Sequence, residues 1–482
     1  MQKSSAFGDV LILGAGPAGM AAAMELSRAG RTVTIVEKGS QVGGLAKTLT
    51  FGQPEGTYRT DIGPHRFYSQ NRYLYDFIQD LLGEEWKSVP RLTRFYVEGK
   101  YYFYPIRFRN VLSQIGIVRV MCMLRDYGWE RIRTFVAPRK LHSFEDYALG
   151  QFGRTLASFN MLNYTEKIWG LPCSEISVDW ANQRIGGLSL WAAVKKMFFT
   201  KGGPKTLVDT FYYPSEGSGL IYEAIKKRIE EKGNAVHVNT EPTTIRWSDQ
   251  RVTEVETRAV DRTEAFHSQN VISSIPITRA IELFDPSPPP EVTAAARHLR
   301  FRSQVYLFLT VKREQIVPDN WVYFPDKNIP FGRISEMKNF SRAMCPRGYT
   351  SLFVEFFCFA GDEIWQMEKE QLFSMTMDVL ERLAILDRTD VTGVHLFRQE
   401  HVYPLYDLQY AAHLRVILDW LDRFENFYAI GRPGRFRYTN QDHSLEMGIL
   451  AAQSVLDGKR RDVDEVTKEK EYFERGFLPE RK

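Results

Sequence analysis

The stretch DVLILGAGPAGMAAAMELSRAGRTVTIVEK, residues 9–38, decides the fold. Asp9 to Leu13 is an apolar run of strand length, Ala21 to Arg28 has helical composition, and Thr32 to Val36 is a second apolar run closed by Glu37. Gly14, Gly16 and Gly19 stand between the first strand and the helix in GxGxxG spacing. Gly14 permits a tight turn, Gly16 lets backbone approach a pyrophosphate, and Gly19 lets helix and strand pack closely. The helix N-terminus adds partial positive charge for phosphate. Glu37, followed by Lys38, stands where a carboxylate accepts hydrogen bonds from ribose hydroxyls. The stretch predicts a Rossmann-like α/β unit that binds a dinucleotide.

The chain has 482 residues, enough for two or three domains. At 44% hydrophobic and 25% charged residues it has the composition of an ordinary globular protein. Its formal net charge is only +4, so no bulk field for nucleic acid or a membrane is expected, and anion binding has to come from local clusters. Cys122, Cys173, Cys345 and Cys358 are scattered without a CxxC pair, which argues against a metal site or a disulfide framework and fits a reducing cytoplasm. The first strand begins almost at once, so no secretory leader is expected. No run reaches the ~18 apolar residues of a spanning helix. The nearest, Val111 to Leu124, is broken by Ser113, Gln114 and Arg119 and reads as a core helix first, with a membrane-leaning surface as the alternative.

Tyr73 to Leu82 predicts a helix, and Arg91 to Pro105 alternates about Glu98-Gly99 as a hairpin does. Its aromatic residues could face the core or offer a stacking surface to a base or sugar. From about 111 to 200 the strand–helix rhythm is lost, with a capped helix opening at Phe144 and a core-facing one over Leu156 to Trp169. The rhythm returns near 205. Gly217-Ser218-Gly219 introduces a helix through Ile229, Val236 to Asn239 is a strand, and a meander covers Thr243 to Trp247, Val252 to Val260 and Ala265 to His267. Val271 to Pro276 reads as a separate strand returning to the first sheet, and Pro286 to Pro290 marks a boundary. Gln304 to Val311 and Ser351 to Phe359 are long strands, Glu368 to Leu383 a helix, and Asn426 to Ile430 the last apolar strand. The dinucleotide domain is thus expected in three parts, 1–100, 205–276 and 401–458. A mainly helical cap domain over 101–204, an antiparallel substrate sheet over 277–400 and a charged tail over 459–482 complete the chain.

Several motifs carry a family resemblance. The Gly43-Gly44-Leu45 turn after Glu37 resembles the FAD-binding turn of the amine oxidase group, which narrows the nucleotide to FAD. Asp61-Ile62-Gly63-Pro64-His65-Arg66-Phe67 is similar to the histidine loop of UDP-galactopyranose mutases, a branch of that group. Asn163-Tyr164 to Trp169-Gly170 and Asp179 to Ile185 resemble the mutase segment whose arginine reaches the substrate diphosphate, which implies Arg184, with Asn163 and Trp169 beside the substrate. Phe331-Gly332-Arg333 with Asn339-Phe340-Ser341 resembles the second such segment, implying Arg333 and Asn339. His401-Val402-Tyr403-Pro404 is similar to the mutase Tyr-Pro turn. Gly431-Arg432, Arg437-Tyr438 and Asn440-Gln441-Asp442-His443-Ser444 resemble the eukaryotic-type flavin closure. At Tyr104-Pro105 the family continues with an amide residue near the base, whereas this sequence has Ile106-Arg107.

The resemblance implies an FAD-dependent mutase that interconverts pyranose and furanose forms of a nucleotide sugar, a UDP-sugar being favoured. N5 of reduced flavin attacks the anomeric carbon, and the nucleoside diphosphate leaves and returns. His65, Arg184, Arg333, Tyr403 and Tyr438 would carry the chemistry, and Tyr104 and Arg107 would join them in holding substrate. Gly63, His65, Gly431, Arg432, Asn440, Gln441, Asp442 and Ser444 would hold FAD with the N-terminal glycines. NAD(P)H is a candidate reductant. The alternative is an amine oxidase-like or desaturase-like oxidoreductase, which the same FAD domain would serve.

Overall fold

The structure, a computed structural model, describes residues 4–104, 114–137, 140–185 and 210–467. Its first sheet has eight strands. Ser4–Leu13 lies in the middle, parallel to Val33–Val36 on one side and to Thr263–Ser273 on the other. Val10, Leu11, Ile12 and Leu13 are each buried, so both faces of the strand are covered there, which is why those four positions are continuously apolar instead of alternating. Ala235–His237 continues the sheet beyond Val33–Val36. Arg251–Arg258, Glu241–Ser248 and Phe284–Asp285 extend the other edge, and Phe427–Ala429 pairs beside the end of Thr263–Ser273.

The strand predicted at 271–276 and the last strand of the meander are one element, Thr263–Ser273. Ser268-Gln269-Asn270 interrupts the apolar pattern because there the strand has left Arg251–Arg258 and has not yet met Phe427–Ala429, so polar side chains cost little.

A seven-stranded sheet forms the second layer, in the order Val391–Pro404, Phe301–Val311, Thr350–Cys358, Arg333–Glu336, Trp321–Tyr323, Thr93–Val97 and Lys100–Phe103. The predicted hairpin is present, with Glu98 and Gly99 both at positive φ in its turn. It pairs through Thr93 with Trp321, so residues 93–97, assigned by sequence to the dinucleotide domain, lie in this second sheet with Lys100–Phe103 at its edge.

The helices Phe144–Phe152, Leu162–Trp169 and Val178–Ile185 share one core cluster with Leu11 and Leu13 of the first sheet and Phe301 and Tyr403 of the second. The core-facing helix expected over 156–169 is interrupted by a π-helical segment, Ala157–Met161. The reading of Val111 to Leu124 as a core helix is corrected. The helix is Ile117–Val136, and none of its residues is buried. The side facing the protein carries Asp126, which accepts a hydrogen bond from Thr155, while the more apolar side faces outward.

Helix Pro17–Arg28 packs against Gln441–Asp457 with almost no space between the backbones. A Cβ on Gly448 would stand 2.1 Å from the Ala18 carbonyl oxygen. A Cβ on Gly19 would likewise stand 2.1 Å from the Gly14 carbonyl oxygen. No helix among the described residues is long and apolar enough to cross a membrane.

Candidate active site

A cavity of about 1110 Å³ begins at the glycine turn and ends among tyrosines of the substrate sheet. At its first end Gly14 takes φ +96° and donates its N–H to the Val36 carbonyl at 2.8 Å. The Gly43 N–H donates to the Ala15 carbonyl at 2.8 Å, which ties the second glycine turn to the first. A Cβ on Gly44 would sit 3.0 Å from Gly16 Cα, so the two turns touch backbone to backbone. The Glu37 carboxylate accepts from the amides of Ala15 at 2.9 Å and Gly39 at 2.8 Å and also borders the cavity, with Lys38 and Leu45. Gly14, Gly16 and Gly44 line the space, whereas Gly19 and Gly43 shape its wall from behind.

Midway along, His65 presents its ring to the cavity. Nε2 lies 2.8 Å from the Ile62 carbonyl oxygen. Burial, with the Arg432 charge adding to it, holds the His65 pKa down at about 4, so the imidazole is neutral at pH 7. Gly63, at φ +94°, brings the loop so near that its Cβ would stand 3.3 Å from Arg333 Nη2. The Gln441 side chain joins this loop to the C-terminal helix, donating to the His65 carbonyl at 3.4 Å and accepting from the Tyr222 hydroxyl at 2.8 Å. Asn440 caps that helix through a reciprocal pair with His443, and Ser444 Oγ lies 2.9 Å from Thr439 Oγ1. Asn440, Gln441 and Ser444 line the cavity; Asp442 is buried outside its lining.

At the far end Arg333 and Glu355 form a bidentate pair, with both N–O distances 2.6 Å. Burial opposes the Arg333 charge, but Glu355 outweighs it and holds the pKa above the ordinary value, so Arg333 is a fixed cation. Glu355 also accepts from Gln304 at 3.1 Å, and Gln304 accepts from the Tyr306 hydroxyl at 2.7 Å. The rings of Tyr403 and Tyr438 stack at 5.6 Å and 18°. The Arg432 guanidinium lies 5.2 Å and 5.0 Å from their centroids and donates to the Thr439 carbonyl at 2.8 Å. Across from them are Tyr104, Tyr323 and Arg91. Arg91 stands over the rings of Tyr104, at 5.5 Å, and Trp321, at 5.6 Å.

The structure brings together His65, Arg333, Tyr403, Tyr438, Arg432 and Tyr104. Trp169 is a correction: it is buried behind Tyr403, ring centroids 6.1 Å apart, and does not line the cavity. Asn163 and Asn339 are corrections of the same kind. Asn163 donates to the Ser158 carbonyl at 3.0 Å, and Asn339 donates to the carbonyls of Val317 and Asp319 at 2.8 and 2.7 Å, so their amides are used by the fold. Arg107 and the side chain of Arg184 lie outside the described residues. Sequence reasoning missed Glu355, Arg91 and Tyr323. Only Glu355 carried a signal, as a lone charge inside the apolar run Ser351 to Phe359, where burial demands a cationic partner.

The residues present fit FAD. Apart from its own chain neighbours, no protein atom lies within 4 Å of where a Cβ on Gly16 would stand, so any side chain there would project into the open cavity beside the glycine turn, the space that a pyrophosphate would take. Backbone amides at the start of Pro17–Arg28 would hold the pyrophosphate, Glu37 the ribose, and the start of Gln441–Asp457 the flavin ring.

Comparison with known proteins agrees with this geometry. The model of the family "Flavin containing amine oxidoreductase" matches residues 17–456. L-amino acid oxidase bordonein-L of Crotalus durissus terrificus is 24% identical over 357 residues, 67% of this chain. The match spans 64% of that oxidase, just under two thirds of its length. Among solved structures, reduced UDP-galactopyranose mutase superposes with a TM-score of 0.81 at 23% identity, covering 96% of this chain and 98% of the other. Putrescine oxidase bound to putrescine gives 0.63 at 16% identity, covering 94% and 100%. The fold is that of these flavoproteins, and the chain belongs to the flavin-containing amine oxidoreductase family, with FAD as its cofactor.

Proposed function

We propose that this protein is a nucleotide-sugar pyranose/furanose mutase acting on a UDP-sugar. The observation that carries the reading is the far end of the cavity, where the fixed cation Arg333, the stacked phenols of Tyr403 and Tyr438, and Arg91 with Tyr104 surround the space beside His65. Such a lining suits an anionic, hydroxyl-rich ligand. The fold shared with reduced UDP-galactopyranose mutase over 96% of the chain supports it. Reduced FAD supplies a nucleophilic nitrogen for the anomeric carbon, and NAD(P)H is the proposed reductant.

The remaining work falls to side chains. Glu355 fixes the plane of Arg333, which faces the diphosphate with its orientation already set. As the diphosphate departs it gains charge that a positioned guanidinium stabilises, and the phenols hold it for return without adding a second charge. Arg184 is assigned the partner role to Arg333. It lies on Val178–Ile185, the helix whose Asp179 borders the cavity.

The test is an anaerobic assay of dithionite-reduced protein against UDP-, GDP- and dTDP-sugars. Isomerisation by reduced enzyme only, lowered about 10²–10³-fold in kcat by Arg333→Ala, is the expected outcome. A second reading, oxidation of an amino acid or amine, draws on the match to L-amino acid oxidases and on the neutralisation of Arg333 by Glu355. It takes first place if no sugar isomerises and an L-amino acid or amine bleaches the oxidised flavin.

A further inference from the structure

Helix Ile117–Val136 presents its apolar side to solvent. Ile117, Met121, Leu124, Trp129, Ile132 and Phe135 fall on one arc at helical spacing and are all exposed, Ile117 by 80% and Phe135 by 90%. The opposite side is fastened to the protein. Arg119 is ion-paired with Glu98 in the hairpin turn, and Val120 and Met123 pack on the cluster of Phe95, Tyr102 and Phe159. A Cβ on Gly153 would come within 2.8 Å of the Tyr127 amide nitrogen. The helix is therefore held with its apolar side outward, an arrangement that a protein surface otherwise avoids.

Charge identifies what covers it. Between 105 and 141 the sequence has seven arginines and Lys140 against only Asp126 and Glu130, a net +6, while the whole chain carries +4; everything else is slightly acidic. On the helix itself, Arg125 stands within the apolar arc and Arg133 at its border; their inner partners are Asp126 at 3.2 Å and Glu130 at 3.7 Å, and their side chains stay 78% and 59% exposed. A second copy of this chain would bring the same net positive charge in this part of the sequence and be repelled. An interface of acidic lipid headgroups over acyl chains satisfies both features, because arginines meet phosphates while Trp129 and the aliphatic side chains enter the headgroup boundary.

We infer that helix Ile117–Val136 docks the protein peripherally on an anionic membrane surface. The hairpin beneath it runs on to Tyr104, which lines the cavity.

The experiment is vesicle flotation of the full-length, FAD-loaded protein. Wild type floats with vesicles of phosphatidylcholine mixed with phosphatidylglycerol, floats poorly with phosphatidylcholine alone, and is released by salt. Ile132→Glu with Phe135→Glu weakens binding at least about tenfold, since two inserted side chains are lost and repulsion is added. Val260→Glu, at a residue 96% exposed outside this helix, leaves it unchanged. Flavin content and circular dichroism report that each variant is folded. The inference is overturned if wild type does not float, if the double variant floats equally well, or if wild type is a dimer that the double variant dissociates while neither binds vesicles.

Discussion

His65 is neutral because the cavity wall and the Arg432 and Arg333 charges disfavour its protonated form. Its folded pKa of about 4 lies below the 6.5 of the unfolded chain. The unfolded state therefore binds more protons between those values, and the stabilisation is full above pH 6.5 and disappears as pH falls through 4. The ring keeps one side to the cavity, so about 3 kcal/mol is the upper limit of the effect. Thermal denaturation across that range should show wild type losing more stability than His65→Asn. Asp61, whose carboxyl burial pushes up to about 6, acts in the opposite sense but is common to both proteins. At this scale the sequence was legible where a backbone constraint is local, as at Gly14, Gly16 and Gly44. Asn163 and Asn339 show the contrary case: sequence spacing cannot tell an amide that faces a ligand from one that binds backbone carbonyls.

Elements are joined by a few buried polar groups, and Asp61 is the principal one near the site. Its carboxylate accepts from Thr48 at 2.5 Å, from the Tyr213 hydroxyl at 2.6 Å and from the Ser218 amide at 3.1 Å, just before the helix Gly219–Glu231. It thus fixes the start of the His65 loop against that helix. Asp61→Ala leaves those donors buried without their acceptor and should cost about 3 kcal/mol, read as a lower urea midpoint at unchanged slope. Long apolar runs could be placed from sequence alone, as Ala21 to Arg28 within Pro17–Arg28 and Gln304 to Val311 within Phe301–Val311 illustrate. The union of two expected strands into Thr263–Ser273 could not, because the polar break at Ser268-Gln269-Asn270 reflects which neighbours the strand has, and those neighbours are distant in sequence.

Across the whole molecule the cavity is walled by both sheets and by the start of Gln441–Asp457, so FAD would bridge segments that are far apart in the chain. Removing it should lower the melting temperature by several degrees, since a ligand at about 100 times its Kd adds about 2.7 kcal/mol. Scanning calorimetry of stripped and reconstituted protein checks this. The close fit of Gly448 on Ala18 has a further consequence, in time. A ribosome adding about 5–20 residues per second needs roughly 20–90 s to travel from residue 18 to residue 448. Through that interval helix Pro17–Arg28 has no partner for the side that Gln441–Asp457 later covers, and the nascent chain must be kept from aggregating until that helix emerges.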